Sequence, residues 1–344
     1  MKRTTIDTGP PASPEPHDWA VILAGGQGRR MAHVTMTDDG QSVPKQFCSL
    51  GRGSSLVHET LRRAGAVAPP ERTLVTVTEC HAAWWQNLRD ALPADNLLVQ
   101  PEQRGTGIGI LQPLLEVLRR DPVASLVILP ADHYFGSEAS IARGLQTAMK
   151  LTRRFPRQVL LLGFAPEESD PDLGYIVPGA AQGDDVFAVS RFIEKPGPDR
   201  VGAFIDDGAL WNSFIVAADA HALLELFERH CPDVVAGLRQ FTAAPLAAAA
   251  RRLELARLFR EIPSIDFSQD VATTGVGNLR VLRLPRCGWN DLGTPARLER
   301  VLRHHRSAID RRPPAPGATR GHVDLAARCR VGQDFASKSS SRRS

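Results

Sequence analysis

A chain of 344 residues with 42% hydrophobic and 23% charged residues has the composition of a soluble globular protein, and the length for one large α/β domain or two smaller ones. Its formal charge of +4 is local: residues 303–344 carry ten Lys and Arg against three Asp and Glu, leaving 32 basic and 35 acidic residues elsewhere, so the charge gives no support to a nucleic-acid-binding catalytic domain. Five scattered cysteines, Cys48, Cys80, Cys231, Cys287 and Cys329, form no C-x-x-C pair, which speaks against a disulfide framework or a zinc site and for a reducing compartment.

Residues 1–17 are proline-rich and polar, with no apolar secretion leader, and are expected to be flexible. No run approaches the roughly 18 apolar residues of a membrane span, so no membrane partner is expected and the location is read as the cytoplasm. From residue 19, strand-like runs at 19–23, 74–78, 96–100, 125–131 and 158–165 alternate with helical patterns such as 55–66 and 138–155. That rhythm predicts an α/β fold, Rossmann-like, with a mostly parallel sheet flanked by helices on both faces. After about residue 170, shorter runs at 174–178, 187–195 and 210–218 predict a mixed insertion, followed by helices at 220–230 and 234–260. A last strand at 279–284 leads into GWNDLGTPARLERVL, where Thr294 is expected to cap a helix whose first residue is Pro295. Beyond about residue 308 the chain is rich in Pro, Ser, Gly and Arg and is expected to be disordered. The expected organisation is a flexible segment 1–17, a single catalytic domain 18–305 and a basic tail 306–344.

The stretch WAVILAGGQGRRM, residues 19–31, runs a buried strand into a turn. Gly25, Gly26 and Gly28 can turn backbone N–H groups toward an anion while Arg29 and Arg30 supply charge; the same glycines serve equally a tight strand-to-helix turn. Neither familiar phosphate motif fits, because no Lys-Ser or Lys-Thr follows at P-loop spacing and Met31 stands where the dinucleotide fingerprint needs glycine. Lys45 follows in PKQF, after a polar loop at 32–43. Asp132 in PADHYF lies just past a strand's carboxyl end, where open α/β sheets bind ligands, and is placed either for a metal or as a turn cap. His133 beside it is given no chemistry. Glu194 and Lys195 in FIEKP, Asn212 in LWNSF and Asp291 in GWNDLGT each suit a phosphorylated sugar or a metal, and each alone is equally a surface pair, a strand amide or a helix entry. The loop QPEQRGTGIGI, residues 100–110, opens a helix whose N–H groups can face a base or a phosphate.

In order, G-G-x-G-x-R, P-K-Q-F, P-E-x-R-x-T, P-A-D-H, L-G-Y-I, E-K-P, W-N-S, S-I-D-F and G-W-x-D-L-G-T resemble the bacterial mannose-1-phosphate guanylyltransferases over residues 19 to about 303. The first two motifs also resemble cytidylyltransferases of isoprenoid synthesis and molybdenum-cofactor guanylyltransferases, which are not expected to carry the later ones. The resemblance implies the sugar-phosphate nucleotidyltransferase fold, with Leu23, Ala24, Gly25, Gly26, Gly28, Arg30, Lys45, Arg104, Thr106 and Asp132 at the nucleotide. It implies Gly174, Glu194, Lys195 and Asn212 at the sugar phosphate, and Arg30, Lys45, Asp132 and Lys195 as the catalytic set. Asp132 and Asp291, with triphosphate oxygens, suit Mg²⁺. The implied reaction joins a sugar 1-phosphate to a nucleoside triphosphate and releases pyrophosphate, with small-molecule substrates and a homodimer as the expected partners. The chain departs from the family where Gly105 replaces a common asparagine, where Phe214 follows W-N-S in place of glycine, and where the loop between Arg30 and Pro44 is longer. Another base or sugar, or a non-catalytic nucleotide sensor, are the competing readings.

Overall fold

The computed structural model describes residues 14–51, 54–310 and 323–325. Nine strands among them, β1 (Asp18–Leu23), β2 (Thr73–Thr78), β3 (Leu97–Gln100), β4 (Ser125–Pro130), β5 (Val159–Phe164), β6 (Tyr175–Gly183), β7 (Val186–Ile193), β8 (Leu210–Asp219) and β9 (Leu279–Leu284), form one sheet. Its order is β3-β2-β1-β4-β8-β5-β9-β7-β6. β1 to β4 are mutually parallel, β9 is parallel to β5, and the antiparallel pairings all involve β7 or β8, so only these two strands run against the rest. The expected mostly parallel mixed sheet is therefore the one that forms.

The helices are α1 (Leu56–Ala64), α2 (Ala82–Trp85), α3 (Gly105–Arg120), α4 (Glu138–Arg154), α5 (Pro198–Asp206), α6 (Ala220–His230), α7 (Pro232–Ala243), α8 (Ala248–Glu261) and α9 (Pro295–Asp310). The central strands read as unbroken apolar runs because both of their faces are covered. Ala20, Ile22, Val127 and Leu129 pack into the layer of α1, α4 and α9, while Trp19, Val21, Leu126 and Ile128 pack into that of α3, α6 and α7. Thr294 caps α9 as expected, its Oγ1 accepting the N–H of Arg297 at 3.3 Å. The helical pattern expected over 234–260 divides into α7 and α8 around Pro245, whose ring cannot continue the first helix.

Sheet register decides where the loops meet. Leu23 pairs with Pro130 and Thr78 with Gln100, so the turns after β1, β2, β3 and β4 leave from one edge. Antiparallel β8 brings its beginning to that same edge, since Asn212 pairs with Gly163 near the end of β5. No helix among the described residues is long and apolar enough to cross a membrane. Cys48, Cys80, Cys231 and Cys287 are unpaired, and Cys329 lies outside the described residues.

Two expectations about the ends need correction. Within the segment expected to be flexible, the His17 carbonyl accepts the N–H of Ser125 at 2.9 Å, and Arg72 and Asp18 bond the carbonyl of Glu15, which extends β1 beyond its start; residues 1–13 lie outside the described residues. Within the segment expected to be disordered, Val323 and Leu325 are 2% and 0% exposed, and their backbones bracket Ser49 in parallel, with hydrogen bonds of 3.0 and 2.9 Å. Asp324 adds an acceptor for the N–H of Gly51. Two buried apolar side chains and the backbone pairing with Ser49 outweigh a polar composition, and the remainder of 311–344 lies outside the described residues. Leu325→Ala should lower the unfolding free energy by about 2–5 kcal/mol, the cost of truncating a buried leucine, as read from the shift of a urea denaturation midpoint at unchanged slope.

Candidate active site

Past β1 the chain turns through Gly25, Gly26 and Gly28. Gln46 holds this turn, its side-chain amide donating to the carbonyls of Ala24 at 2.7 Å and Gly26 at 2.9 Å. Gly28 sits at φ +58°, and a Cβ there would press on the Lys45 backbone nitrogen at 3.3 Å, so glycine meets both a positive φ and a close approach. Lys45 lies at the start of a single short turn, residues Lys45–Phe47, and is 5% exposed. Its ammonium stands 2.8 Å from Asp132 Oδ2 and donates to the main-chain carbonyl of Asp291 at 2.5 Å.

Asp291 reaches Asp132 because residues 287–290 pair with 134–137 in antiparallel fashion. Tyr134 and Asn290 exchange both backbone hydrogen bonds, at 2.9 and 3.0 Å, and Ser137 donates to the Cys287 carbonyl at 3.0 Å. Burial alone would push both carboxyls up, but the Lys45 ammonium more than offsets it for Asp132, and Lys45 with Arg297 does so for Asp291. Both acids are held below the usual carboxylate range and are ionised at neutral pH. Trp289 Nε1 donates to His133 Nδ1 at 3.2 Å, and burial holds that imidazole down to about 4, so it stays neutral beside Asp132. Trp289 also stacks on Phe164, ring centroids 5.5 Å apart, which gives the seam a rigid aromatic floor.

No cluster of three or more His, Cys, Asp or Glu with metal-binding geometry occurs among the described residues. The donor set here is two ionised carboxylates, oxygen only, Asp132 facing the Lys45 ammonium and Asp291 the Arg297 guanidinium. That chemistry fits a hard divalent ion whose remaining ligands are phosphate oxygens and water, and does not fit a soft one.

Opposite the acids, Gly174, Glu194 and Asn212 come together. Asn212 N–H donates to the Gly174 carbonyl at 2.8 Å, and a Cβ on Gly174 would lie 2.8 Å from Glu194 Oε2. Burial raises the Glu194 carboxyl, opposed by Lys195, whose ammonium is 3.4 Å away and half-exposed. The Asn212 Oδ1 accepts the Phe214 N–H at 3.0 Å, at an irregularity in the β5–β8 pairing, and Phe214 is left at φ +57°.

A cavity of about 280 Å³ is lined by Leu23, Gly25, Gly26, Arg30, Thr106, Asp132, Gly174, Glu194, Lys195, Asn212 and Asp291. A second, of about 470 Å³, is lined by Gly28, Arg30, Lys45 and Asp132, so Arg30 and Asp132 border both. The sequence-based set is thus gathered at one place, with two exceptions. Ala24 is buried beneath the turn, its backbone N–H bonded to Thr76 and its carbonyl to Gln46. Arg104 is turned toward Glu102 at 2.6 Å, and Gln103 borders the cavities instead. Thr106 is fastened by its hydroxyl, which accepts from Phe267 N–H at 2.8 Å and donates to Asp266. Gln46 and Arg297 escape sequence reasoning; P-K-Q flagged the first only as part of a string, and nothing local marks an arginine in the first turn of α9.

The departure at Gly105 has a steric reason. Ile265 and the 104–107 loop exchange backbone hydrogen bonds, Gly107 to Ile265 at 2.8 Å and Ile265 to Arg104 at 3.0 Å. Gly105 has φ +83°, and a Cβ on it would meet the Ile265 carbonyl oxygen at 2.1 Å.

The fold and the residues at this edge of the sheet match the family described as nucleotidyl transferase over residues 19–307, and the chain belongs to that family. Members of that family generally use a divalent metal ion and small-molecule substrates. The chain is similar to a mannose-1-phosphate guanylyltransferase of Escherichia coli, 26% identical over 220 residues, with 62% of this chain and 45% of that protein covered. It is similar to mannose-1-phosphate guanylyltransferase ManC of Salmonella typhimurium, 27% identical, with 83% and 60% covered. Among solved structures it resembles a mannose-1-phosphate geranyltransferase of Thermus thermophilus, with TM-score 0.72, 28% identity, and 83% and 79% of the two chains covered. The chain spans about half the length of the curated relatives it matches.

Gly105→Asn, which installs the residue common in the family it resembles, should destabilise this protein by about 2–4 kcal/mol by forcing Ile265 away. Chemical denaturation measures that loss, and triphosphate affinity should fall with it.

Proposed function

We propose that the protein transfers a guanylyl group from GTP to mannose 1-phosphate, releasing pyrophosphate and forming GDP-mannose. One observation carries the reading. An anion-facing glycine turn, a buried ammonium and two ionised acids border one side of a cavity whose other side offers Gly174, Glu194, Lys195 and Asn212. The choice of guanine and mannose rests on the later motifs of the sequence and on the names of the relatives in Escherichia coli and Salmonella typhimurium. The unpaired cysteines agree with a cytoplasmic location.

In this reading a phosphate oxygen of the sugar 1-phosphate attacks the α-phosphorus, and the bond to the β-phosphate's bridging oxygen breaks. No nucleophile from the protein is needed. Phosphoryl-type transfer is promoted by alignment and by neutralising charge. Gly25, Gly26 and Gly28 receive the triphosphate on backbone N–H groups, with Arg30 and Lys45 as fixed positive charges along it. Glu194 accepts hydroxyl protons of the sugar, and the Asn212 amide donates to it, its own oxygen being held by Phe214 N–H. Lys195 faces the sugar's phosphate. Asp132 and Asp291 would hold Mg²⁺, which would supply further neutralisation of the charge on the phosphate oxygens.

Pyrophosphate release across four nucleoside triphosphates and several hexose 1-phosphates tests the proposal. GTP with mannose 1-phosphate should give the highest kcat/KM. A tenfold preference for dTTP or UTP with glucose 1-phosphate, about 1.4 kcal/mol in the transition state, would replace the base and sugar but keep the reaction. Triphosphate binding with no pyrophosphate release for any pair would leave a sensor. Asp132→Asn and Asp291→Asn should each abolish most turnover, and the double variant should lose little more, as for groups that act as a unit. Lys195→Ala should raise KM for the sugar phosphate far more than for GTP.

A further inference from the structure

We propose that Arg297 is a positioning residue that fixes the Asp291 carboxylate toward the divalent ion and ties to it the loop bearing Gly174, so that metal affinity and sugar-phosphate affinity depend on one side chain. The inference rests on the functional reading above for the identity of the two ligands.

Arg297 is 3% exposed, in the first turn of α9. One edge of its guanidinium, Nη1, donates to both oxygens of Asp291 at 2.7 and 2.8 Å. The other edge, Nε and Nη2, donates to the two oxygens of Asp170 at 2.7 and 2.6 Å. One planar cation thus joins two carboxylates from segments more than a hundred residues apart in sequence, which a lysine, a single point of charge, cannot do. Gly293 makes the approach feasible: a Cβ there would lie 2.5 Å from Asp291 Oδ2 and 2.8 Å from Arg297 Nη1.

Asp170 is in turn bolted to the core and to the cavity wall. Its N–H and carbonyl both bond the hydroxyl of Tyr175, which also accepts from Trp211 Nε1 at 3.1 Å. Its Oδ1 accepts the N–H of Asp172, whose carboxylate lies 3.9 Å from Arg297 and 3.7 Å from Arg30. Two residues on comes Gly174, whose carbonyl receives the Asn212 N–H at 2.8 Å. Hydrogen bonds therefore run from Asp291 through Arg297 to Asp170 and on to Asp172 and Tyr175, the residues that flank Gly174 in the chain. Partners of this kind, which orient a ligating group, change metal affinity by about 10–100-fold when removed.

The test uses Arg297→Lys, with Mn²⁺ as the probe ion. Mn²⁺ is titrated into GTP-saturated protein and the free ion is read by electron paramagnetic resonance; KM for mannose 1-phosphate is read by pyrophosphate release. The expected result is Mn²⁺ binding weakened at least tenfold and a raised KM for mannose 1-phosphate, with GTP affinity in the absence of metal unchanged. A folded variant with wild-type Mn²⁺ affinity and KM overturns the proposal and leaves Arg297 a stabiliser of the fold. If Arg297→Lys does not fold, Asp170→Asn decides: the same two quantities should shift in the same direction, and wild-type values for both overturn the proposal. Should the wild-type protein bind Mn²⁺ with GTP yet release no pyrophosphate with any sugar phosphate, the functional reading fails, while the Mn²⁺ measurement on Arg297→Lys still decides the positioning role toward Asp291.

Discussion

A buried ammonium needs a counter-charge within reach, and Lys45 finds it in Asp132 while bonding the backbone of Asp291. That single requirement ties together three remote parts of the chain: the turn after β1, through the neighbouring Gln46; the end of β4; and the segment after β9. Each partner is placed by the sheet. β1 and β4 are in register at Leu23 and Pro130, and the 134–137 and 287–290 strips pair directly beyond them. Breaking one partner would leave an uncompensated charge, so the glycine turn, the acid at the strand end and the last segment hold one another in place. The ionised state of both acids follows from the same ammonium, assisted at Asp291 by Arg297.

Much of this was legible from the residues. The central strands announce themselves as apolar runs because both faces of the sheet are covered there, and Thr294-Pro295 marks the start of α9 by local chemistry alone. Asp132, Asn212 and Asp291 could be named because each lies at or after a strand end, and strand ends of an open α/β sheet converge, whereas Lys45 was marked by the proline that precedes it at the end of a polar loop. What escaped depends on contacts between distant segments. Arg104 follows a motif yet turns to Glu102, since its loop is pinned from outside by Ile265. Arg297 reads as an ordinary helix residue until Asp170 and Asp291 are seen on either side of it. Val323 and Leu325 lie in a stretch whose composition argues for disorder, and only their backbone pairing with the distant Ser49 explains their place in the core.

Phe214 shows how a departure from a family pattern is accommodated. Ser213 is fully buried and donates to the Leu162 carbonyl at 2.6 Å, while Asn212 accepts the Phe214 N–H. The two preceding side chains, Asn212 bonding the N–H of Phe214 and Ser213 that of Ile215, thus set the backbone angle at residue 214, and a bulky residue tolerates φ +57° because its neighbours over-determine it. Its ring is then packed edge-on against Phe267, centroids 6.1 Å apart, the residue whose N–H bonds the Thr106 hydroxyl. The aromatic contact offsets part of the strain and links the two sides of the cavity.

The paired backbone hydrogen bonds between the 104–107 loop and Ile265 bear on the entropy of recognition. The first turn of α3, bonded through Arg104 and Gly107 to the single residue Ile265, is ordered when the protein folds, so a ligand touching it would lose little binding free energy to ordering it. The absent Cβ of Gly105 is the feature that permits it: a side chain there would hold the two segments apart and return the loop to an ensemble of conformations.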